Sequence, residues 1–335
     1  MDTEHNIKLT SAEISQLWTS YINSTMSKCF FLYFLEKVED TQIRPIIQHA
    51  LELAESHIQK ITTIFEKENW PVPHGFKEEE DVDIKAPRLF SDTFMLHFIR
   101  NMGELAINYY SVSQTLAVRS DINQYYAECL AELSQFNTMA KDISLSKGIF
   151  IRAPYINPPE KVAFVQQQSY MTGWLGNRRP LTAMEITNLY TNIQRNALGK
   201  ATVVGFSQVA NSKEVRKYMV RGKDISSKHI EIFGSILSED DLPSPMTWDT
   251  QITASTTSPF SDKLMMASTS YLTAIGIGYY GTSLATCARR DLSAHYVRLT
   301  AEVAKYGEDG ANLMINNGWM EEPPLASDRD KLARQ

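Results

Sequence analysis

The chain has few cysteines and none of the short motifs that mark the commonest catalytic sites. Its 335 residues include three cysteines, Cys29, Cys129 and Cys287, and no two of them form a Cys-x-x-Cys pair. This scatter predicts neither a disulfide framework nor a zinc knuckle, and it indicates a reducing compartment. The sequence also lacks a glycine-rich phosphate loop, a Gly-x-Ser-x-Gly elbow and a His-Glu-x-x-His pair, so we predict no catalytic residues.

An excess of positive charge is missing as well. The 33 lysines and arginines face 39 aspartates and glutamates, which gives a formal net charge of −6. This balance provides no electrostatic footprint for nucleic acid, and we predict no nucleic-acid partner. The first ten residues are polar and have no apolar core of the kind that a signal peptide needs, which favours a cytoplasmic location.

What the chain does contain is an internal repeat. The segment Leu9–Ile14 (LTSAEI) recurs 172 residues later as Leu181–Ile186 (LTAMEI), and after a two-residue gap in a loop the offset becomes 170. An ordered series of matches at these two offsets indicates a duplicated domain. The matched pairs include Leu17/Leu189, Lys28/Lys200, His57/His229, Pro71/Pro243, Phe90/Phe260, Tyr110/Tyr280, Arg119/Arg289, Glu132/Glu302 and Gly148/Gly318.

Each half shows the pattern of four helices. Thr10 and Glu13, like Thr182 and Glu185, have the spacing of a capping box at a helix start. In the first half, helical periodicity predicts helices that end near residues 38 and 69, followed by helices over 91–117 and 121–146. Between the second and third helices, the acidic run Glu78–Asp81 predicts a solvated crossover loop.

The fold class that follows is all-α, with two tandem antiparallel four-helix bundles related by internal duplication. We predict a first bundle over residues 1–151, a linker over 152–180, a second bundle over 181–322 and a C-terminal tail over 323–335. The uncharged stretch 267–288 is long enough to span a membrane. Its counterpart in the first half carries His97, Arg100 and Glu104, which are unsuited to lipid, so we predict no membrane span.

A di-metal centre is the chemistry most readily attached to such a bundle. It needs a Glu from each of two helices and a Glu-x-x-His motif from each of the other two. The residue three before His57 is Ala54, and the counterpart of Glu104 is Ala274. We therefore expect no intact di-iron site and no cofactor. The alternative is iron or manganese at a non-standard site, for which the candidate ligands are His49, His57, His97 and Glu104.

A second set of polar residues recurs in both halves, one on each predicted helix. Its members are Lys28, His57, Tyr109 (or its neighbour Tyr110) and Glu132 in the first half, and Lys200, His229, Tyr279 (or Tyr280) and Glu302 in the second. Buried charges need such partners. The set is either a ligand pocket or altered metal site, or a polar network whose members satisfy one another.

These repeated features resemble a family of endospore-forming bacteria that is known as a domain of unknown function. The resemblance rests on the capped first helix, the central histidine of the second helix, a Pro-x-Pro after it, a Phe-Ser-Asp opening of the third helix and an Arg-x-Asp before the fourth. It implies ferritin-like bundles that are distantly similar to spore coat protein F, and it implies no reaction.

We therefore expect a non-enzymatic structural or interaction protein, associated with sporulation or stress and with the spore. A second copy of the chain or a spore coat protein is the expected partner. The alternative is a metal-binding or oxidoreductase-type ferritin-like protein with a non-standard site around His57.

Overall fold

The computed structural model describes residues 7–174 and 178–334, so the first six residues and the predicted linker positions 175–177 lie outside the described part. Within the described ranges the regular structure is helical, apart from one isolated β-bridge between Phe90 and Ile252. The helices are α1 (Ser11–Lys37), α2 (Arg44–Lys67), α3 (Glu78–Asp81), α4 (Asp92–Leu116), α5 (Ser120–Ser146), α6 (Ala183–Val209), α7 (Lys213–Ser238), α8 (Asp262–Thr286), α9 (Arg290–Asn316) and α10 (Arg329–Leu332).

The eight long helices of the described chain form two sets of four, which confirms the predicted all-α, duplicated fold. Helix α6 begins and ends 172 residues after α1, while α8 and α9 begin and end 170 residues after α4 and α5. The helix ends therefore follow the same two offsets as the sequence repeat. None of the described helices is long and apolar enough to cross a membrane.

Both predicted capping boxes are formed, and the same glutamates have a second task. Glu13 Oε2 accepts a hydrogen bond from the backbone N–H of Thr10 at 2.8 Å, and Glu185 does the same for Thr182 at 2.9 Å. The other carboxylate oxygen accepts from the backbone N–H of Arg119 (2.8 Å) or Arg289 (3.1 Å). One carboxylate therefore caps the first helix of each half and ties it to the start of the fourth.

The chain divides into two compact units. Among the described residues, the first comprises 7–84, 95–147 and 320–334, and the second comprises 85–94, 148–174 and 178–319. In the first unit, Phe30 packs against Phe98 with ring centroids 5.2 Å apart, and Phe34 packs against the same ring at 5.5 Å. The core of the second unit includes Leu189, Ile193, Phe233, Leu237, Tyr280, Leu292, Tyr296 and Leu299.

Matched differences between the repeats show how each interior fills its space. Tyr218 and Tyr306 stack at 4.2 Å, and each hydroxyl donates to the backbone carbonyl of the other residue. A Cβ added at Gly310 would lie 2.2 Å from the Tyr218 hydroxyl oxygen, and one at Gly222 would lie 2.3 Å from that of Tyr306. The corresponding residues of the first half are Ile46, Phe136, Ala140 and Ala50. The first half lacks the two tyrosine hydroxyls, and alanine methyl groups stand at the positions that are glycine in the second half.

One local expectation needs correction. The acidic run Glu78–Asp81 is a one-turn helix rather than an open solvated loop, and Asp81 is only 2% exposed. The Asp81 carboxylate accepts a hydrogen bond from the backbone N–H of Lys77 at 3.0 Å. An acidic side chain placed this way satisfies a free N–H at the helix start, which composition alone does not reveal.

Candidate functional site

In the first unit, the structure brings together three of the expected residue types on three helices. His57 of α2 is buried, and its Nε2 lies 3.3 Å from Oε2 of Glu132 on α5. Its Nδ1 lies 3.4 Å from the hydroxyl of Tyr110 on α4. The imidazole therefore links a phenol to a carboxylate across the bundle interior. We call this arrangement the Tyr–His–Glu chain.

The second unit repeats this chain with shorter contacts. The Tyr280 hydroxyl lies 2.8 Å from Nδ1 of His229, and Nε2 lies 3.0 Å from Oε2 of Glu302. The Tyr280 oxygen also accepts from the amide of Asn196 at 2.8 Å, so its own proton is directed at the imidazole. Because a carboxylate only accepts, Nε2 carries the ring proton. One neutral tautomer satisfies both ring nitrogens.

The charge states follow from burial and these hydrogen bonds. Burial lowers the pKa of His229 and outweighs the opposite effect of Glu302, so the ring is neutral near pH 7. Burial by itself raises the pKa of Glu302, but hydrogen bonds from Lys228 and His229 outweigh it and lower the pKa. In the first unit, the hydrogen bond with His57 is the main cause of the lowered pKa of Glu132. Both carboxylates are therefore ionised.

An ammonium group compensates each of these carboxylates, but it comes from different positions. Lys60 Nζ lies 3.6 Å from Oε1 of Glu132 and 3.4 Å from Glu128. In the second unit, Lys228 pairs with Glu302. Lys60 is three residues after the histidine, whereas Lys228 is directly before its histidine, so the two lysines are not counterparts. The pairing is shared although the residue positions differ.

The two lysines predicted from the repeat lie elsewhere. Lys28 Nζ is 3.1 Å from Glu55, and Lys200 Nζ is 2.9 Å from Asp249. Both pairs are partly exposed, and neither lysine joins the Tyr–His–Glu chain. Helical periodicity places a residue on a face of its own helix, but it does not decide which neighbour a long, flexible side chain reaches.

Of each tyrosine pair, the second member faces the histidine. The Tyr109 hydroxyl donates instead to the backbone carbonyl of Gln16 at 3.1 Å. The Tyr279 ring lies under the guanidinium of Arg195, 3.2 Å from the ring centroid. Adjacent residues on a helix point about 100° apart. Of the two tyrosines expected in each half, Tyr110 and Tyr280 therefore belong to the Tyr–His–Glu chain, and Tyr109 and Tyr279 do not.

The proposed metal ligands converge only in part. His49 lies 3.9 Å from Glu52 and Glu104 lies 2.8 Å from Arg100, while His97 is buried. Among the described residues, the group of three metal-binding side chains with mutually close ligand atoms is His57, Cys129 and Glu132. Neither His49, His97 nor Glu104 belongs to it.

Cys129 was missed by the sequence argument. It lies three residues before Glu132, a spacing that puts both side chains on one face of α5. Its ligand atom and those of His57 and Glu132 all lie within 4.8 Å of one another. Burial raises the pKa of the Cys129 thiol to about 12, so the thiol is protonated in this state. The (i, i+3) spacing was the signal that could have found it.

Two tandem four-helix sets, each with a Tyr–His–Glu chain in its interior, define a duplicated all-α protein. A family model described as "Protein of unknown function (DUF3231)" matches residues 1–162 and again residues 169–332. The chain belongs to this family and contains its domain twice, which confirms the resemblance and the duplication predicted from the sequence.

A crystal structure from Bacillus halodurans C-125, described as a "putative spore coat protein", is similar to part of the chain. The identity is 16% and the TM-score 0.42, over 45% of this chain and 98% of the other. No curated protein matches the chain.

Proposed function

We propose that the protein is a non-enzymatic structural or interaction protein made of two ferritin-like bundles. The observation that carries this proposal is the state of His229, which is fully buried and has both ring nitrogens engaged by Tyr280 and Glu302. A general base must reach a substrate proton. A histidine held in this way instead ties three helices together. The Tyr–His–Glu chain of the first unit supports the same role for His57.

The bundles provide little that a ferritin-type oxidase would use. Such a centre needs four carboxylates and two histidines directed into one bundle. Around Glu302, the neighbouring polar groups are Lys228 and the neutral His229, and the Lys228 ammonium already pairs with this carboxylate. This supports a scaffold whose inner polar residues satisfy one another.

Location and partners are part of the same proposal. A cytoplasmic or spore-associated protein that assembles with a second copy of itself or with a spore coat protein follows from the resemblance. The bundle faces, rather than a cleft, would carry those contacts. Sedimentation velocity of the purified chain across a concentration series measures the self-association that the first of these partners requires.

The test against an enzymatic role is iron oxidation. We expect Fe²⁺ in air to oxidise at the same rate with and without the purified, metal-free chain, followed by the absorbance of ferric product. A protein-dependent rate that is lost in both His57→Ala and Glu132→Gln would overturn the structural proposal. It would favour the alternative, an oxidoreductase-type ferritin-like protein with a non-standard site around His57.

One observation favours the metal-binding half of that alternative without its redox chemistry. The group of His57, Cys129 and Glu132 contains a thiol, which iron and manganese carboxylate centres of bundles do not use. Soft sulfur ligands favour zinc and similar ions. Metal binding can therefore coexist with a structural role.

A further inference from the structure

The group formed by His57, Cys129 and Glu132 joins two helices of the first unit. His57 lies on α2, and Cys129 and Glu132 lie on α5. The histidine and the thiol are buried, whereas the Glu132 side chain is 36% exposed and gives the group an opening to solvent. A nitrogen, a sulfur and an oxygen donor thus lie together at the end of a short path from water.

We propose that His57, Cys129 and Glu132 bind one zinc ion in the first unit. Zinc accepts imidazole nitrogen, thiolate sulfur and carboxylate oxygen in tetrahedral geometry. From zinc bond lengths of about 2.0–2.3 Å, the ligand atoms of a tetrahedral site lie roughly 3.3–3.8 Å apart. The three ligand atoms already lie within 4.8 Å of one another, so side-chain movements of about 1 Å bring them to the separations of a zinc site. A water molecule completes the tetrahedron.

The hydrogen bonds around the site fit this role. The Tyr110 hydroxyl faces Nδ1 of His57 and leaves Nε2 directed at Glu132. When zinc takes Nε2, the ring proton moves to Nδ1 and is donated to the Tyr110 oxygen, which is the arrangement that orients a metal-binding histidine. The thiol loses its proton to solvent, so one proton leaves for each ion bound.

A buried hydroxyl beside the thiol points to the same ligand. The Tyr125 hydroxyl is buried and makes no hydrogen bond of normal geometry with the described residues. It is nevertheless close enough to the Cys129 sulfur for each group to influence the pKa of the other. A metal-bound thiolate accepts hydrogen bonds better than a thiol does. Zinc binding would therefore give the Tyr125 hydroxyl a stronger acceptor.

The second unit provides an internal control because it lacks the sulfur. The counterpart of Cys129 is Leu299, which is fully buried in the core of the second unit. His229 and Glu302 remain, but two ligands without a third do not make a zinc site. The proposed site therefore belongs to the first unit alone, and it does not depend on the structural role proposed above.

The cation that now lies beside this group is the ammonium of Lys60. Its ammonium lies 3.6 Å from Glu132 and 3.4 Å from Glu128, and its side chain is 36% exposed. Zinc must displace it from Glu132, after which Lys60 keeps Glu128 as a partner. Removing the ammonium should therefore strengthen zinc binding at this site.

The experiment uses the full, metal-free chain and Co²⁺ as a spectroscopic probe. We expect a thiolate-to-cobalt charge-transfer band in the near ultraviolet that saturates at one ion per chain and is abolished by zinc. The band should vanish in Cys129→Ser and persist in the matched variants Cys29→Ser and Cys287→Ser. Absence of the band in the wild-type chain, or its survival in Cys129→Ser, would overturn the proposal.

Two further variants keep the test decisive if Cys129→Ser fails to fold. Glu132→Gln changes a partly exposed side chain and should weaken zinc binding at least about tenfold, while Glu302→Gln should leave it unchanged. Lys60→Gln should bind zinc more tightly than the wild-type chain. Equal affinities in Glu132→Gln and Glu302→Gln, measured by equilibrium dialysis with circular dichroism as the folding control, would also sink the proposal.

Discussion

The hydroxyl of Tyr280 lies 2.8 Å from Nδ1 of His229 and directs its proton at the ring. The equivalent distance from Tyr110 to His57 is 3.4 Å, and the distances to the carboxylates are 3.0 Å and 3.3 Å. The two repeats thus contain the same Tyr–His–Glu chain, with shorter hydrogen bonds in the second unit than in the first. Because hydrogen-bond strength falls with distance, the histidines should differ in their contribution to stability.

His229→Ala should destabilise the second unit by about 2–4 kcal/mol, because it leaves a cavity and removes the partner of a buried phenol. His57→Ala should cost the first unit less. Hydrogen exchange followed by mass spectrometry resolves the two, since peptides of α7 and α9 report on one unit and peptides of α2 and α5 on the other. Equal loss of protection in both variants would contradict the difference in geometry.

Glu185 should make the second unit sensitive to acid. Burial alone raises the pKa of this carboxyl, but Arg179 and the backbone N–H groups of Thr182 and Arg289 outweigh it and hold the pKa at about 2. Since the folded pKa is below the unfolded value near 4.5, the stabilisation is complete above pH 4.5 and is lost as the pH falls towards 2.

We expect the unfolding midpoint of Glu185→Gln to change less with pH in the acid range than that of the wild-type chain. The carboxylate contributes about 3 kcal/mol by linkage. Glu308→Gln is the matched control, because this glutamate of α9 is exposed to solvent. If the unfolding midpoint of Glu185→Gln fell with acid as steeply as that of the wild-type chain, other carboxylates would dominate acid unfolding.

Gly310→Ala should destabilise the second unit by about 1–3 kcal/mol, because the new Cβ would lie 2.2 Å from the Tyr218 hydroxyl oxygen. Adding Tyr218→Ile should recover much of the loss, since Ile46 and Ala140 are the combination in the first unit. Thermal unfolding of the two single variants and the double variant gives the coupling energy. Additive effects would exclude the steric explanation.

Lys228→Met should change stability by less than about 1 kcal/mol, although its ammonium pairs with Glu302. Both side chains are about a third or more exposed, so solvent screens the pair. The loss should shrink further at high salt, whereas that of His229→Ala should not. Chemical denaturation with urea at two salt concentrations measures both. A large, salt-independent loss would indicate a buried role for Lys228.

The architecture was predictable because it depends on short-range signals that occur twice. The capping pair of Thr10 and Glu13 fixes a helix start locally, and the copy at Thr182 and Glu185 confirms the offset. Helix ends could then be placed within a few residues. The second task of Glu13, which accepts from the N–H of Arg119, depends on tertiary packing and leaves no local pattern.

The residues of the candidate site that recur in both halves could be predicted from the sequence, whereas those present in one half could not. Recurrence singled out His57 and Glu132, which do meet. It also favoured Lys28, because descent preserves residues whether or not they touch. Cys129 has no counterpart, so a search for repeated residues necessarily passed over it.

The two non-equivalent lysines show how duplicated domains drift. Lys60 corresponds to Ile232, and Lys228 corresponds to Ser56. A column-by-column comparison of the halves therefore scores each lysine as unshared and each position as free to vary. What both halves retain is a charge balance around one glutamate, which selection can maintain through any side chain that reaches it.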